Sequence, residues 1–240
     1  MSTIASGIPG LDELFFGGFP KGKTILLTGP PGAGKTILCI QFLVRGALDF
    51  DEPGVLVCFD DFPRHLRRDM RSFGWSLKEL ESFDPPLLTI VDGFSSRVGL
   101  TSTERFSMRP NVDSVLMTLV EVLKVTGATR VVVDSLTSLA TTVKNEIQVR
   151  REILTMSAIL GDQGCTTILT AELGAHARVE EYSAQGAIVL RYKEESDGNF
   201  TRSLLVQKMR GHRHVFGYRQ FEIGEEGFEV FPDKSVGISE

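Results

Sequence analysis

The segment Gly29-Pro-Pro-Gly-Ala-Gly-Lys-Thr36 constrains this chain more than any other. It fits the pattern G-x-x-x-x-G-K-T, and each fixed position has a physical role. Glycines let the backbone curl until several N–H groups face one phosphate chain. Lys35 brings a positive charge to the β- and γ-phosphates, and Thr36 offers a hydroxyl to Mg²⁺. The context agrees. Residues 24–28 are apolar enough for a buried strand, and residues 37–48 have the length of a helix. Strand, glycine loop and helix N-terminus together make an anion site. Gly29, Pro30, Pro31, Gly32, Ala33, Gly34, Lys35, Thr36 and Ile37 are therefore the candidate nucleotide-binding residues, and Lys35 is also a candidate catalytic group. A plain Gly/Pro turn is the structural alternative. The presence of all four fixed positions in this context favours the phosphate loop.

A second chemical element lies downstream. Residues 130–134, Arg-Val-Val-Val-Asp, read as an apolar strand closed by Asp134. Many buried strands end in an Asp that caps the next helix. Coupled to the glycine loop, the pattern is that of a Walker B strand, whose aspartate holds Mg²⁺ through its water shell. Thr36 and Asp134 are the candidate metal residues. Residues 55–59 are another continuous apolar run, as expected of a parallel strand buried on both faces. That run stops at two acids, Asp60 and Asp61.

Further strand-like runs occur at 87–91, 166–171 and 187–192, and helical patterns at 63–73, 112–125 and 144–160. On the last helix Ile147, Ile153, Leu154, Ser157 and Leu160 mark one side, and Arg150, Arg151 and Glu152 the other. The arginines of 63–73 are expected to face solvent or the phosphates. Residues 92–111 are polar, lack a period and read as a long loop, a frequent place for function. After 187–192 the pattern changes. A turn at 194–199, a strand at 203–209 and a ribbon of 219–223 and 228–231 around a 224–227 turn predict antiparallel pairing. Residues 232–240 read as a polar tail. The expected fold is one α/β domain over residues 1–231. It has a mostly parallel central sheet flanked by helices and a C-terminal antiparallel β extension.

Composition narrows the setting. The net charge of -5 argues against a generic nucleic-acid surface, though a local basic groove is compatible with it. No apolar run approaches a membrane span. Residues 1–6 lack the basic start and apolar block of a secretory signal. Cys39, Cys58 and Cys165 all lie in apolar segments, an odd set that reads as reduced core thiols in a cytoplasm.

Taken in order, these motifs resemble a single-domain KaiC-like member of the RecA superfamily, over residues 7–231. The first block is Ser6-Gly-Ile-Pro-Gly-Leu-Asp12, Gly17-Gly18 with Pro20, and the phosphate loop. Arg150-Arg-Glu-Ile-Leu154, Gly164-Cys-Thr-Thr167, Val179-Glu-Glu-Tyr182 and Ala187-Ile-Val-Leu190 follow, and Lys208-Met-Arg-Gly with His214 is the most specific late block. The resemblance implies an ATP-binding, Mg²⁺-dependent and commonly hexameric protein, with nucleotide at each subunit boundary. It gives Lys208, Arg210 and His214 a role, since the matching basic residues of relatives reach the neighbouring subunit's phosphates. A finger supplied in trans ties hydrolysis to assembly. On residues alone the same cluster is a basic strand end on a solvated surface.

One departure from the family matters. Relatives carry paired glutamates after the second strand, one of which orients or deprotonates the attacking water. This chain has Asp60 and Asp61. The shorter arm withdraws the carboxylate by about 1.5 Å, and misplacement by about 1 Å can cost roughly a hundredfold in rate. Slow turnover is expected. Asp60 is the first candidate base and Asp61 the second, with capping of the helix that begins near Pro63 as the structural alternative. Glu172 stands where relatives often place a residue that senses the γ-phosphate.

Three functions fit these residues. The first is a slow ATPase acting as a homohexameric switch. The second is a DNA-handling paralogue, with Arg97, Arg105, Arg109 and Arg178 lining a channel. Acidic net charge and a short N-terminus count against it. The third is a non-hydrolysing, ATP-dependent scaffold that recruits a signalling protein, kept open by Asp60 and Asp61. Residues 174–184 offer only Tyr182 and Ser183 as phosphate acceptors, in no compelling arrangement. No Asn-Lys-x-Asp guanine-reading element occurs, and the family resemblance leans to ATP.

Overall fold

The computed structural model describes residues 2–109, 111–140, 146–172, 183–195 and 198–237. At the start, β1 (Thr3–Ile4) pairs antiparallel with β2 (Phe19–Pro20) across a 3₁₀ turn (Asp12–Phe15). Asp12 holds this piece together by accepting from the Ser6 amide at 2.9 and 3.1 Å. Then come β3 (Thr24–Gly29), α1 (Lys35–Asp49), β4 (Gly54–Cys58) and α2 (Pro63–Asp69). A 3₁₀ turn (Met70–Phe73) leads to α3 (Leu77–Glu81), β5 (Leu88–Asp92), α4 (Phe94–Arg97) and β6 (Phe106–Ser107). The middle continues with α5 (Val112–Thr126), β7 (Arg130–Asp134), α6 (Leu136–Ala140), α7 (Glu146–Asp162) and β8 (Thr166–Glu172). The chain closes with β9 (Gly186–Glu194), β10 (Phe200–Met209), β11 (Arg219–Gly224) and β12 (Gly227–Ser235).

Ten strands form one sheet in the order β12-β11-β10-β9-β3-β8-β7-β4-β5-β6. Every pairing from β9 across to β6 is parallel, while β10, β11 and β12 are antiparallel. The parallel strands β3, β4, β5 and β7 are buried along their whole length. That is why each reads as an unbroken apolar run, since helices cover both faces of such a sheet. One core layer joins Leu38 and Phe42 of α1 to Leu66, Trp75, Leu77 and Phe228. The other joins Val115, Leu119 and Val122 of α5 to Ile153, Met156 and Leu160 of α7. The expected α/β architecture with an antiparallel extension is the one observed.

Three expectations about local structure need correction. On α7 the buried stripe is Ile153, Met156, Ser157 and Leu160, whereas Ile147 is 81% and Leu154 45% exposed. At about 100° per residue, Ile147 falls some 240° from Ile153 and so points off the stripe. Residues 92–111 are not a featureless loop, for they hold α4 and β6. Asp92, 2% exposed, organises them by accepting from Ser95 N at 3.0 Å and from the hydroxyls of Ser95 and Ser102 at 2.6 Å. Such a polar side-chain knot has no periodic signature. Finally, β12 runs past Pro232 to Ser235 instead of ending in a tail. Proline is tolerated there because β12 is the edge strand. The register also slips between Gln220↔Phe231 and Arg219↔Ser235, which places Pro232 in the irregularity.

Candidate active site

Parallel strands bring their carboxyl ends to one edge of the sheet, and the crevice outside that edge is where such folds bind ligands. β3 ends there in Gly29, opposite Glu172 of β8. β7 ends in Asp134, opposite Cys58 of β4, with Asp60 two residues beyond. The loop from Gly29 curls into α1 through Gly34, whose φ of 96° and ψ of 15° lie in the left-handed region that glycine adopts without penalty. A Cβ at Gly34 would also stand 2.5 Å from Ile223 Cδ1, so the loop packs directly against β11. Lys35 Nζ donates to Gly29 O at 2.8 Å and Pro30 O at 3.1 Å, which lays its ammonium across the loop. Ala33 is buried, Pro31 and Gly32 are exposed, and Ile37 packs its half-buried side chain onto the core below.

Thr36 and Asp134 meet. Thr36 Oγ1 donates to Asp134 Oδ2 at 2.7 Å, and Thr170 Oγ1 of β8 donates to Asp134 Oδ1. Asp134 is only 7% exposed. Burial is the main reason its carboxyl sits above the ordinary range; the two hydroxyls pull it back, Asp60 adds repulsion and Lys35 attraction. Among the described residues no basic side chain forms an ion pair with it. Nor do three or more His, Cys, Asp or Glu side chains gather as a metal centre there. A hard cation at this edge would therefore take Thr36, Asp134 and oxygens of its own phosphate ligand, which is the donor set Mg²⁺ prefers.

The paired aspartates have separate surroundings. Asp60 Oδ1 accepts from Arg97 NH1 at 3.2 Å and from the Ser138 hydroxyl in a short contact. Asp61 Oδ1 accepts from Phe62 N at 2.7 Å and faces His65 Nδ1 at 2.7 Å, so Asp61 tethers the start of α2. Glu172 N donates to Thr137 Oγ1 at 2.9 Å, which ties the end of β8 to α6. Thr170, Ser138 and Arg97 are the site residues that pattern reading did not find in these roles. Thr170 hides inside an apolar strand, and Ser138 and Arg97 reach the site only through tertiary packing.

The basic cluster lies elsewhere. β10 runs antiparallel to β9, so Lys208 and Met209 pair with Ala187 and Gly186 at the amino edge of the sheet. Arg210 N donates to Gln185 O at 2.9 Å, and Gln185 N donates to Thr24 O at 3.1 Å. Thr24 and Gly29 are five strand residues apart, on the order of 16 Å at about 3.3 Å per residue. His214 Nδ1 is 3.2 Å from Val215 O, and His212 Nε2 is 2.6 Å from Phe15 O, which pins the segment beneath the N-terminal 3₁₀ turn. Within one chain this cluster and the phosphate loop stand at opposite edges.

The arginines proposed for a channel are dispersed. Arg97 is engaged with Asp60, Arg105 lies 5.2 Å from the Phe106 ring centroid, Arg109 is exposed, and Arg178 falls outside the described residues. On α2 and the turn after it, Arg64, Arg68 and Arg71 rim a cleft of about 530 Å³ that no phosphate-loop residue lines. Arg67 in that cleft is fixed by paired contacts of 2.6 to 2.7 Å to Glu81 and Glu104. Ser183 is buried, and Tyr182 lies outside the described residues. Cys39, Cys58 and Cys165 are free and buried, and burial pushes the Cys165 thiol up to about 11. No helix among the described residues is long and apolar enough to cross a membrane.

A phosphate loop after a central strand of a parallel sheet, with a buried aspartate beside its threonine, defines a RecA-like P-loop fold. The chain belongs to the KaiC ATPase family, whose family model matches residues 4–235. A UPF0273 protein of Methanocaldococcus jannaschii is 35% identical over 99% of this chain and 100% of its own length. The circadian clock oscillator protein KaiC of Synechococcus elongatus is 34% identical over 97% of this chain, which spans 44% of that longer protein. The crystal structure of a KaiC-like protein from the hyperthermophilic archaeon Pyrococcus horikoshii superposes with a TM-score of 0.81. It is 39% identical, with 96% of this chain and 99% of that one covered.

Proposed function

We propose that this protein is a slow, Mg²⁺-dependent ATPase that works as a homohexameric switch in the cytoplasm. The observation that carries the reading is the contact between Thr36 and a buried, cation-poor Asp134 beside a phosphate loop. Bound Mg²⁺ would supply charge neutralisation across the phosphate oxygens there. The loop amides and Lys35 bind and orient the triphosphate. Asp60 accepts the proton of the attacking water, whose oxygen bonds to the γ-phosphorus as the bond to the ADP oxygen breaks. Asp61, engaged with His65 and the start of α2, is the secondary candidate.

Lys208, Arg210 and His214 serve the neighbouring subunit's phosphates in this reading. Their place at the sheet edge away from their own loop supports a role across a boundary. Beside them Phe216 is 80% and Phe16 57% exposed, and the Arg213 guanidinium lies 4.8 Å from the Phe16 ring centroid. Aromatic and arginine side chains of this kind are what subunit interfaces enrich. Three buried free cysteines suit a reducing compartment.

Steady-state ATP turnover with Mg²⁺, wild type beside Lys35→Ala, tests the enzyme reading. Turnover in the wild type that is lost in Lys35→Ala supports it. Tight ATP binding with equal residual turnover in both overturns it in favour of the nucleotide-gated scaffold. Mixing Lys35→Ala with Arg210→Ala tests the boundary, because mixed rings contain some sites with both residues intact. Recovered turnover is the expected outcome, and two additive inactive proteins would refute sharing across subunits.

A further inference from the structure

The paired acids raise a geometric question: what compensates for the short arm of Asp60? The segment that follows β5 is built to answer it. Gly93 lets the backbone settle against the end of β4, where Gly93 N donates to Cys58 O at 3.0 Å, since a Cβ there would stand 2.2 Å from the ring of Phe59, the residue after the strand. Buried Asp92 then gathers Ser95 and Ser102 and fixes the single turn of α4. Arg97, the last residue of that turn, is thereby delivered to the end of β4. Its NH1 lies 3.1 Å from Phe59 O, 3.2 Å from Asp60 Oδ1 and 2.8 Å from Ser138 Oγ. Ser138 in turn donates to the same Asp60 oxygen.

We infer that Arg97, with Ser138, is the positioning residue of the attacking water's acceptor: it clamps Asp60 by Oδ1 so that Oδ2 faces the reaction. The inference rests on the assignment of Asp60 made above. A carboxylate on one short arm has few rotamers, and two donors on one of its oxygens select among them. Arg97 touches neither nucleotide nor water in this account and acts through Asp60. Its bond to Phe59 O also holds the strand end, so backbone and carboxylate are set together. None of this uses the guanidinium fork, because one nitrogen makes all three contacts. A lysine ammonium, with three donors on one nitrogen, can replace part of it.

The test compares kcat, KM for ATP and the equilibrium affinity for a fluorescent ATP analogue. The proteins are full-length wild type, Arg97→Ala, Arg97→Lys, Asp60→Asn and the Arg97→Ala/Asp60→Asn double variant. Arg97→Ala should lower kcat by about 10- to 100-fold, as loss of orientation does. KM and analogue affinity should stay within about twofold, the mark of an interaction that matters only in the transition state. Arg97→Lys should recover part of the loss, and the double variant should be no slower than Asp60→Asn, as for residues that act as a unit. Wild-type kcat in Arg97→Ala, an affinity loss as large as the rate loss, or additive losses in the double variant would each overturn the clamp. An inactive Asp60→Asn beside an unaffected Arg97→Ala sinks the clamp alone. An Asp60→Asn as active as wild type sinks the acceptor assignment and the clamp together. If Arg97→Ala does not fold, Ser138→Ala replaces it. A fall of a few fold in kcat with unchanged affinity supports the clamp, and no fall overturns it.

Discussion

Arg130 and Asp134 open and close the same buried strand and have opposite surroundings. Arg130 is fully buried, yet its donors are all consumed by the chain. Glu52 lies 2.6 Å from NH2, Ala5 O accepts at 2.7 Å, Phe42 O at 2.8 Å, and the guanidinium sits 4.5 Å from the Phe42 ring centroid. Burial lowers its pKa and Glu52 opposes that. Asp134 is nearly as buried and, among the described residues, receives only two hydroxyls. At the amino end of β7 a charge is spent on joining α1, the N-terminal segment and the sheet. At the carboxyl end a charge is left with no ion-pair partner among the described residues. A buried charge that is closed internally is architecture, and one that is not is a candidate site.

That contrast can be broken from either end. Glu52→Ala should be the most damaging to the fold, because it strips a buried guanidinium of its carboxylate. A loss of about 3 kcal/mol in urea unfolding is expected. Loss of less than about 1 kcal/mol would mean that the carbonyls alone satisfy Arg130. Thr170→Val keeps the shape of β8 and removes one donor to Asp134. Partners of this outer kind are commonly worth about tenfold in metal affinity or activity, so Mg²⁺-supported turnover should weaken by about that factor, and the metal-free protein should melt lower because a buried carboxylate loses one of its donors. The smallest effect belongs to Arg68→Ala. Its pair with Asp69 at 2.8 Å is exposed, and its loss should leave the melting temperature unchanged.

Much of one end of β7 was legible in the sequence and almost none of the other. Gly34, Lys35 and Thr36 are visible because a phosphate loop demands fixed residue types at fixed spacings, and Asp134 because it closes an apolar strand in a chain that carries such a loop. The parallel core and the antiparallel ribbon were legible for the same reason, since burial on both faces and turn residues leave a pattern. Arg130 is simply the first letter of an apolar run, and only the fold brings Glu52 and the carbonyls of Ala5 and Phe42 to it. Thr170 looks like a strand residue until β8 lies beside β7. The position of Arg97 depends on Gly93, Asp92 and two serines closing a short turn, a set of polar contacts with no period. Residues 232–240 read as a polar tail, whereas β12 continues through Pro232 to Ser235 because an edge strand tolerates proline.

The charge left open at Asp134 has a testable sign. Its raised carboxyl means that the native protein holds a proton there more readily than the unfolded chain does. Stability is then lost as pH rises from the ordinary carboxylate value near 3.9 through the raised one, and the penalty is present at neutral pH. Asp134→Asn removes that penalty together with the proposed cation ligand. The decisive measurement is thermal unfolding at neutral pH of wild type and Asp134→Asn, each with ADP, with and without Mg²⁺. The account predicts that the variant melts higher than wild type without Mg²⁺, and that Mg²⁺ raises the wild type but not the variant. A variant that melts lower without metal and gains as much from Mg²⁺ as the wild type would contradict it.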